Sequence, residues 1–415
     1  MSDLPATAPA LRQRLTRMLA TVGPGLVVMM ADTEAGSVIT AAQSGAQWGY
    51  RLLLLQFLLV PLMFMAQELT VRLGLCTGKG YVELIRQRFG RVMAAITATV
   101  LLISCFGALL TQMSGLVGAG SLFAIPGWVI LLMLVVFILG MVLTGSYRSV
   151  ERVTLALGLF GLAFVAMAIK SRPDMSRLLH DIARMPLDNP DYLYLMAANL
   201  GTSVMPWTVF YQQSALIDKG LDATHLPIAR ADTLMGAVFC QVLTAAIVIA
   251  AAATLGGHPA GLDSIAQIGE AFGALIGPAW GKLVFAIGLA GGALVATIVV
   301  CLSAVWAVGE ALGVRHSLEQ HPLDAPWFYG PFALLLIGGA VLVGSGVNLI
   351  RLSIAVGVLN ALLIPLILLF LFWLAYRALP TEHRLRGRYA QVVAVIFTLT
   401  SALGLYAGLG GALGW

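Results

Sequence analysis

Eleven long apolar stretches run along this chain of 415 residues and constrain its fold more than any other feature. Each is about 20 residues or longer, the length that an α-helix needs to cross a bilayer. Only 10% of the residues are charged, against roughly 25% in a soluble domain. The sequence therefore excludes a water-soluble enzyme, a nucleic-acid binder and a disordered chain, and it predicts an all-α polytopic membrane protein. The stretches cover residues 21–46, 50–76, 92–121, 127–147, 150–171, 191–215, 232–255, 279–308, 328–346, 350–376 and 389–411.

The distribution of Lys and Arg among the connecting segments predicts the orientation of the chain. With the N-terminus placed in the cytoplasm, 17 of the 24 Lys and Arg residues fall on the cytoplasmic side. Cytoplasmic loops of membrane proteins carry such an excess. We therefore expect a cytoplasmic N-terminus and, because eleven is odd, an extracellular C-terminus. The short loops suit a bacterial plasma membrane.

The parity of the spans predicts the domain organisation. Five spans precede the connection at 172–190 and five follow it, with one span left over. Because five is odd, the two halves cross the membrane in opposite directions, as in the inverted repeats of many secondary transporters. The predicted parts are a cytoplasmic tail (1–20), a first five-helix repeat (21–171), an extracellular loop (172–190), a second repeat (191–376), and a loop with an eleventh helix (377–415).

The first span of each half is interrupted near its middle. In the first half, Gly23-Pro24-Gly25 is followed by two carboxylates, Asp32 and Glu34. In the second half, the segment 199–207 contains Pro206, which lacks an N–H group and so frees a carbonyl near residue 202. Interrupted spans at corresponding positions of two repeats indicate the substrate site of a transporter.

The two carboxylates of the first break need compensation at mid-membrane depth. A charged group at the bilayer centre costs about 2.5–3.5 kcal/mol on insertion scales. Residues two apart point about 200° away from each other on a helix. Asp32 and Glu34 can therefore face one site only if the helix unwinds between them, and we expect a cation or water to balance their charge.

At these positions the sequence resembles the Nramp family of divalent-metal transporters. Gly23-Pro24 followed by Gln-Ser-Gly-Ala-Gln-Trp-Gly-Tyr at 43–50 is similar to the family's first-span pattern. The segments 73–79 and 350–365 resemble its second-span exit and its tenth span. The resemblance covers most of the chain and implies a leucine-transporter-like fold, with a 5+5 inverted repeat plus one extra helix.

The family's two metal-binding motifs imply a ligand set. Its first-span Asp-Pro-Gly-Asn falls on Glu34-Ala-Gly-Ser37, and its sixth-span Ala-Thr-Val-Met-Pro-His falls on residues 202–207. The resemblance therefore implies metal binding by the Glu34 carboxylate, the Ser37 side chain, the Thr202 carbonyl and the Met205 sulfur.

Two further polar residues are candidates for the site. Asp32 lies just outside the first motif and either faces the ion or lines a water-filled vestibule. Asn360 stands where the family's tenth span has Gln, and it either supports the site or makes an interhelical hydrogen bond. Glu68 is instead expected to pair with Arg72 one helical turn away.

The sequence departs from the proton-coupled members of the family. Trp207 replaces their His, and residues 92–121 contain no Asp, Glu, His, Lys or Arg. A proton relay through a membrane needs titratable groups along its path. For such a relay the chain offers Asp32 and Glu34, then Glu68 toward the inner end of the second span, and we expect weak or absent proton coupling.

The identity of the ion rests on Met205. The Asp-Thr-acid-Ala-Gly run at 32–36, Pro206-Trp207 and Gln213-Ser214 resemble the magnesium-transporting branch of the family, which lacks the Met. A thioether is a soft ligand that serves transition metals and not Mg²⁺. The sequence thus favours Mn²⁺ or Fe²⁺, with a partly hydrated Mg²⁺ as the alternative.

Other classes of function fit less well. An organic solute such as an amino acid would place a carboxylate beside the acidic Glu34. An intramembrane enzyme would need a His–carboxylate–nucleophile set, and the predicted spans contain none. A passive channel, which would lack an occluded state, stays open as an alternative. We expect no cofactor: the divalent ion is the transported substrate, and the bilayer is the other partner.

Overall fold

The computed structural model describes residues 24–142, 156, 158–256, 262, 264–313, 326–346 and 348–414. Throughout these residues the secondary structure is helical, without β-strands. The predicted tail (1–20) lies outside them. The helices are α1 (Pro24–Asp32), α2 (Ala35–Trp48), α3 (Leu53–Thr77), α4 (Tyr81–Ser121), α5 (Gly127–Val142), α6 (Leu162–Lys170), α7 (Met175–Ile182), α8 (Pro190–Ser203), α9 (Pro206–Asp218), α10 (Leu226–Leu255), α11 (Ile265–Ile276), α12 (Pro278–Leu312), α13 (Pro326–Gly344), α14 (Leu349–Arg377) and α15 (Gly387–Leu413).

The lengths and composition of the described helices confirm an integral membrane protein. Six helices are long and apolar enough to cross a bilayer: α3, α4, α10, α12, α14 and α15. A seventh crossing is available to α1 and α2 together, which meet at a bend of 49°. The helices α5, α11 and α13 are apolar but shorter. The all-helical class is therefore confirmed, whereas the count of eleven spans and the division into two repeats stay predictions.

Two connections expected to be loops contain helices. Helix α7 lies within 172–190, and α11 lies within 255–278. One face of α11 is buried, and the rings of Phe272 and Phe285 are 5.4 Å apart at its contact with α12. With only 12 residues, α11 is too short to cross a bilayer. It is amphipathic, and the packing of its buried face against α12 explains why it is helical.

The helix that contains the third predicted span begins before the span itself. Helix α4 begins at Tyr81 rather than near residue 92, and it carries a charged first part. Gly90 separates this part from the apolar remainder with φ 87°, a left-handed conformation that favours glycine. The amphipathic segment 81–89 therefore leads into the span at a kink.

Helices α8 and α14 approach each other at two glycines. A Cβ added to Gly201 would overlap the carbonyl oxygen of Gly357 and crowd the main-chain nitrogen of Ala361. A Cβ added to Gly357 would lie 2.8 Å from the carbonyl oxygen of Ala198. This contact between the two backbones fixes α8 against α14 at Gly201, one residue before Thr202.

Replacing Gly201 by Ala is expected to destabilise the bundle by about 3 kcal/mol, at the upper end for overpacking, because a rigid backbone must move. The midpoint of thermal unfolding of the purified protein measures the effect. Gly338→Ala is the matched control, since an added Cβ there meets nothing within 4 Å. Equal midpoints for the two variants would show that the α8–α14 contact is not tight.

Candidate metal site

The first break lies between α1 and α2 and exposes main-chain groups inside the protein. Helix α1 ends at Asp32 and α2 begins at Ala35. Glu34 has extended backbone, with φ −91° and ψ 178°. The Ala35 N–H donates to the Gln112 side-chain oxygen of α4 at 3.0 Å, which satisfies a group that has no partner within the helix.

The Glu34 carboxylate is buried at this break. Its side chain is 2% exposed, and its Oε2 atom has no hydrogen-bond partner among the described residues. Its Oε1 atom lies over Gly36, where an added Cβ would be only 2.5 Å away. Gly36 thus leaves room for the carboxylate to fold against the start of α2. A buried acidic oxygen without a hydrogen-bond partner is one that a proton or a bound ligand could satisfy.

The second break lies between α8 and α9. Helix α8 ends at Ser203, and α9 begins at Pro206, with Val204 and Met205 in non-helical conformations between them. In a continuous helix the Thr202 carbonyl would accept from the nitrogen of residue 206, but proline has no hydrogen to donate. The interruption expected at mid-span is therefore confirmed, and the Thr202 carbonyl is released from the helix.

Ser37 brings the two breaks together. Its Oγ atom lies 2.7 Å from the Asp32 carbonyl oxygen and 3.1 Å from the Thr202 carbonyl oxygen. A hydroxyl has one proton and can donate to only one of these carbonyls at a time. The other carbonyl oxygen therefore remains available to a cation. Both Ser37 and Thr202 are 4% exposed, so this oxygen cluster is closed to bulk solvent.

The structure distinguishes the two oxygens of Thr202. The hydroxyl group donates to the Asn199 carbonyl at 3.2 Å, one turn earlier in α8. The carbonyl faces Ser37 across the helix interface. The main-chain oxygen is thus the atom that the fold directs into the site.

Met205 lies in the second break and is 1% exposed. It borders a narrow apolar cleft between α9 and α14 that has no room for a water molecule, lined also by Val204, Pro206, Val209, Ile364, Ile367 and Leu368. These neighbours are apolar and offer the thioether packing. Metal binding by its sulfur stays a prediction.

The side chain of Asp32 points to α10. Its Oδ2 atom accepts from the Cys240 thiol at 3.4 Å, while its main-chain carbonyl is the group that meets Ser37. Unwinding at Thr33 and Glu34 therefore brings the Asp32 backbone to the oxygen cluster and leaves its carboxylate on a different face.

Asn360 and Glu68 make contacts between helices. The Asn360 Oδ1 atom accepts from Ser104 of α4 at 2.7 Å, so the interhelical hydrogen bond is present, and a role in the site stays a prediction. The expected ion pair between Glu68 and Arg72 is confirmed. Glu68 is fully buried, and it also pairs with Arg230 at 3.1 Å.

Sequence reasoning missed two buried carboxylates. Asp232 Oδ2 accepts from the Gly25 N–H at 2.8 Å, and Glu310 Oε2 accepts from the Val82 N–H at 2.9 Å. Each carboxylate lies at the N-terminus of a helix distant in sequence, where the helix dipole favours negative charge. The set of three carboxylates considered for a proton relay, Asp32, Glu34 and Glu68, therefore left out two buried ones. Both residues lie at the edge of an apolar stretch, and this position in the sequence could have indicated that they are buried.

A helical membrane bundle with two broken helices meeting at a buried polar centre defines the transporter class with a leucine-transporter-like fold. A manganese transporter from Eremococcus coleocola superimposes with a TM-score of 0.75 at 18% identity, covering 100% of this chain and 92% of that one. Mhp1, a nucleobase-cation-symport-1 family transporter, superimposes with a TM-score of 0.57 at 11% identity, covering 94% and 91%.

The family model described as "Natural resistance-associated macrophage protein-like" matches residues 25–409, and the chain belongs to this Nramp family. A divalent metal cation transporter, MntH of Bradyrhizobium diazoefficiens, is 26% identical over 308 residues, covering 69% of this chain and 67% of that protein. MntH of Verminephrobacter eiseniae is 26% identical over 406 residues, covering 94% and 88%. These relatives are named as transporters, not enzymes.

Proposed function

We propose that this protein transports divalent metal ions, with Mn²⁺ or Fe²⁺ preferred, through a site between the two broken helices. The observation that carries the proposal is the position of Ser37, whose hydroxyl lies between the carbonyl oxygens of Asp32 and Thr202. The Glu34 carboxylate, one turn from Ser37, supplies negative charge and an unpartnered oxygen. The names of the relatives, divalent metal cation transporter and manganese transporter, support the same substrate class.

The proposed ligands are the Glu34 carboxylate, the Ser37 hydroxyl, the Thr202 carbonyl and the Met205 sulfur. Oxygen donors bind Mg²⁺ and Mn²⁺ alike, whereas a thioether favours the softer transition metals. Met205 lies in the extended break next to the freed carbonyls, which supports the preference for Mn²⁺ or Fe²⁺. Mg²⁺ is the second candidate, because the Ser37 hydroxyl and the carbonyls of Asp32 and Thr202 that it contacts are all oxygen donors.

Transport by alternating access is supported by polar contacts on both sides of the site. Toward the end of α9, Ser214 donates to Glu310 at 2.9 Å, and Gln213 donates to the Lys79 carbonyl at 2.7 Å. Toward the end of α2, Gln43 accepts from the Leu262 N–H at 2.8 Å. In the proposed inverted repeat, α2 and α9 leave the breaks in opposite directions, so one set of contacts would open at a time for the ion to pass.

The orientation proposed for the chain follows the charge distribution. Most Lys and Arg residues lie on the side of the N-terminus, which we place in the cytoplasm of a bacterial cell. On this assignment α9 ends toward the cytoplasm, and the Ser214–Glu310 contact is the inner closure.

Weak or absent coupling to protons is the second part of the proposal. Trp207 is fully buried in α9, and the apolar part of α4 from 92 to 121 carries no titratable Asp, Glu or His. The two carboxylates that the sequence argument omitted, Asp232 and Glu310, both bind helix N-termini. Those contacts support a structural role for both carboxylates rather than a role in a proton relay.

Proteoliposomes loaded with a metal-sensitive dye and a pH-sensitive dye test both parts. We expect external Mn²⁺ to quench the metal dye while the lumenal pH stays constant, because no proton accompanies the ion. Protein-free liposomes are the control for leakage. Absence of Mn²⁺-dependent quenching would contradict the transport function, and acidification that depends on Mn²⁺ would contradict uncoupled transport.

A further inference from the structure

The carboxylate of Asp32 is the one acidic side chain of α1, and it is poorly compensated. It is 1% exposed, and its Oδ1 atom has no hydrogen-bond partner within the described residues. Its Oδ2 atom receives one hydrogen bond, from the Cys240 thiol at 3.4 Å, and a thiol is a weak donor. No Lys, Arg or His in the described part of the chain forms an ion pair with it. A buried carboxylate with so little support is neutralised by a proton or by a bound cation.

A second ligand-bearing side chain lies beside this carboxylate. Cys240 is 1% exposed, and its Sγ atom is 3.4 Å from both Asp32 Oδ2 and Thr33 Oγ1. Carboxylate, thiol and hydroxyl therefore converge at the end of α1, on the side that faces α10. None of these three side chains belongs to the proposed ligand set at Ser37.

Close packing of α1 and α10 holds this cluster in place. A Cβ added to Gly236 would lie 2.6 Å from the Met29 side chain and 3.1 Å from the Gly25 carbonyl oxygen. The Gly25 N–H donates to Asp232, two turns before Cys240 on α10. The two helices are thus fixed against each other along their length, and Cys240 is presented to Asp32 from a rigid element.

We propose that Asp32 and Cys240 form a second cation position, distinct from the Glu34–Ser37–Thr202 site, that binds soft divalent ions such as Cd²⁺ or Zn²⁺. On binding, the thiol releases its proton to solvent and a metal–sulfur bond forms, while an Asp32 oxygen provides the second ligand. Thiolate and carboxylate together carry two negative charges and neutralise the dication in its buried setting. Thiolate selects Cd²⁺ and Zn²⁺ over Mg²⁺. This position goes beyond the proposed transport function.

Ultraviolet absorption of the cadmium–thiolate bond tests the position in the purified full-length protein. The experiment uses a Cys76→Ser background, which removes the partly exposed cysteine of α3 and leaves the three buried cysteines. Titration with Cd²⁺ is expected to produce one equivalent of charge-transfer absorption, which excess Mg²⁺ does not remove. Adding Cys240→Ser should eliminate the absorption, and Asp32→Asn should weaken Cd²⁺ binding at least about tenfold. Cys301→Ser, at a buried thiol of α12, is the matched control and should keep it.

The proposal is overturned by no absorption in the starting protein, by absorption that survives Cys240→Ser, or by equal loss in Cys301→Ser. Glu34→Gln should retain the absorption, so failure of Mn²⁺ transport and failure of this position are separate results. Loss of the absorption in Glu34→Gln would mean that the two positions are one. If Cys240→Ser does not fold, protection of Cys240 from alkylation by Cd²⁺, measured by peptide mass spectrometry, decides the question, and no protection contradicts the proposal.

Discussion

Replacing Glu34 by Gln is expected to abolish Mn²⁺ uptake into proteoliposomes. The amide keeps the size of the side chain but removes its negative charge, and it places a donor where the site needs an acceptor. Glu34 is buried with an unpartnered Oε2 atom, so no other carboxylate in the proposed ligand set replaces it. Loss of a group that only supports a metal ligand already lowers metal affinity about 10–100-fold. Loss of the Glu34 carboxylate itself should therefore lower the Mn²⁺ affinity by more than about 100-fold.

Two further variants make the Glu34 result specific. Glu34→Asp keeps the carboxylate, as in the family motif that the sequence resembles, and should retain measurable uptake. Glu270→Gln makes the same change of charge at an exposed position of α11 and should transport normally. Uptake in Glu34→Gln equal to that in Glu270→Gln would remove Glu34 from the site.

Substitutions of Met205 are expected to separate the two candidate ions. Met205→Ala and Met205→Leu both remove the thioether, and each should lower the affinity for Mn²⁺ and Fe²⁺ at least about tenfold, as for other losses at a metal site. Mg²⁺ affinity should change little, because Mg²⁺ is bound through oxygen and water. Calorimetric titration of the three ions against each purified variant measures the difference.

Leucine is the informative control at this position. It fills nearly the same volume as methionine and suits the apolar cleft between α9 and α14, so the fold is preserved. If Met205→Leu keeps full Mn²⁺ and Fe²⁺ affinity, the thioether serves packing alone. Equal losses for Mn²⁺ and Mg²⁺ in Met205→Ala would likewise favour the magnesium alternative.

Much of the architecture could be predicted from local sequence. The all-helical membrane class follows from the apolar stretches, since their length is a property of each segment by itself. The interruption before Pro206 follows from the missing N–H of proline. The helix α11 was not predicted because its stability comes from contact with α12, where Phe272 meets Phe285.

The polar contacts of the site were harder to foresee. Gln112 binds the start of α2 from α4, 77 residues away, and Asp232 binds the start of α1 from α10, 207 residues away. Neither residue belongs to a motif, and each acts only through the helix terminus that packing brings to it. Glu68 differs because its partner Arg72 is one turn away on the same helix, so spacing alone predicts the pair.

The sequence by itself determined that the chain is a membrane protein, where two helices break, and which residues resemble metal ligands. These features depend on hydrophobic length, on proline and on short motifs, all of which act within one segment. Only the tertiary structure decided which atoms meet. Ser37 reaches the Thr202 carbonyl across 165 residues, and Asp32 turns its carbonyl to Ser37 but its carboxylate to Cys240, 208 residues away. Such choices depend on helix packing and on unwinding at the break, which no local pattern encodes.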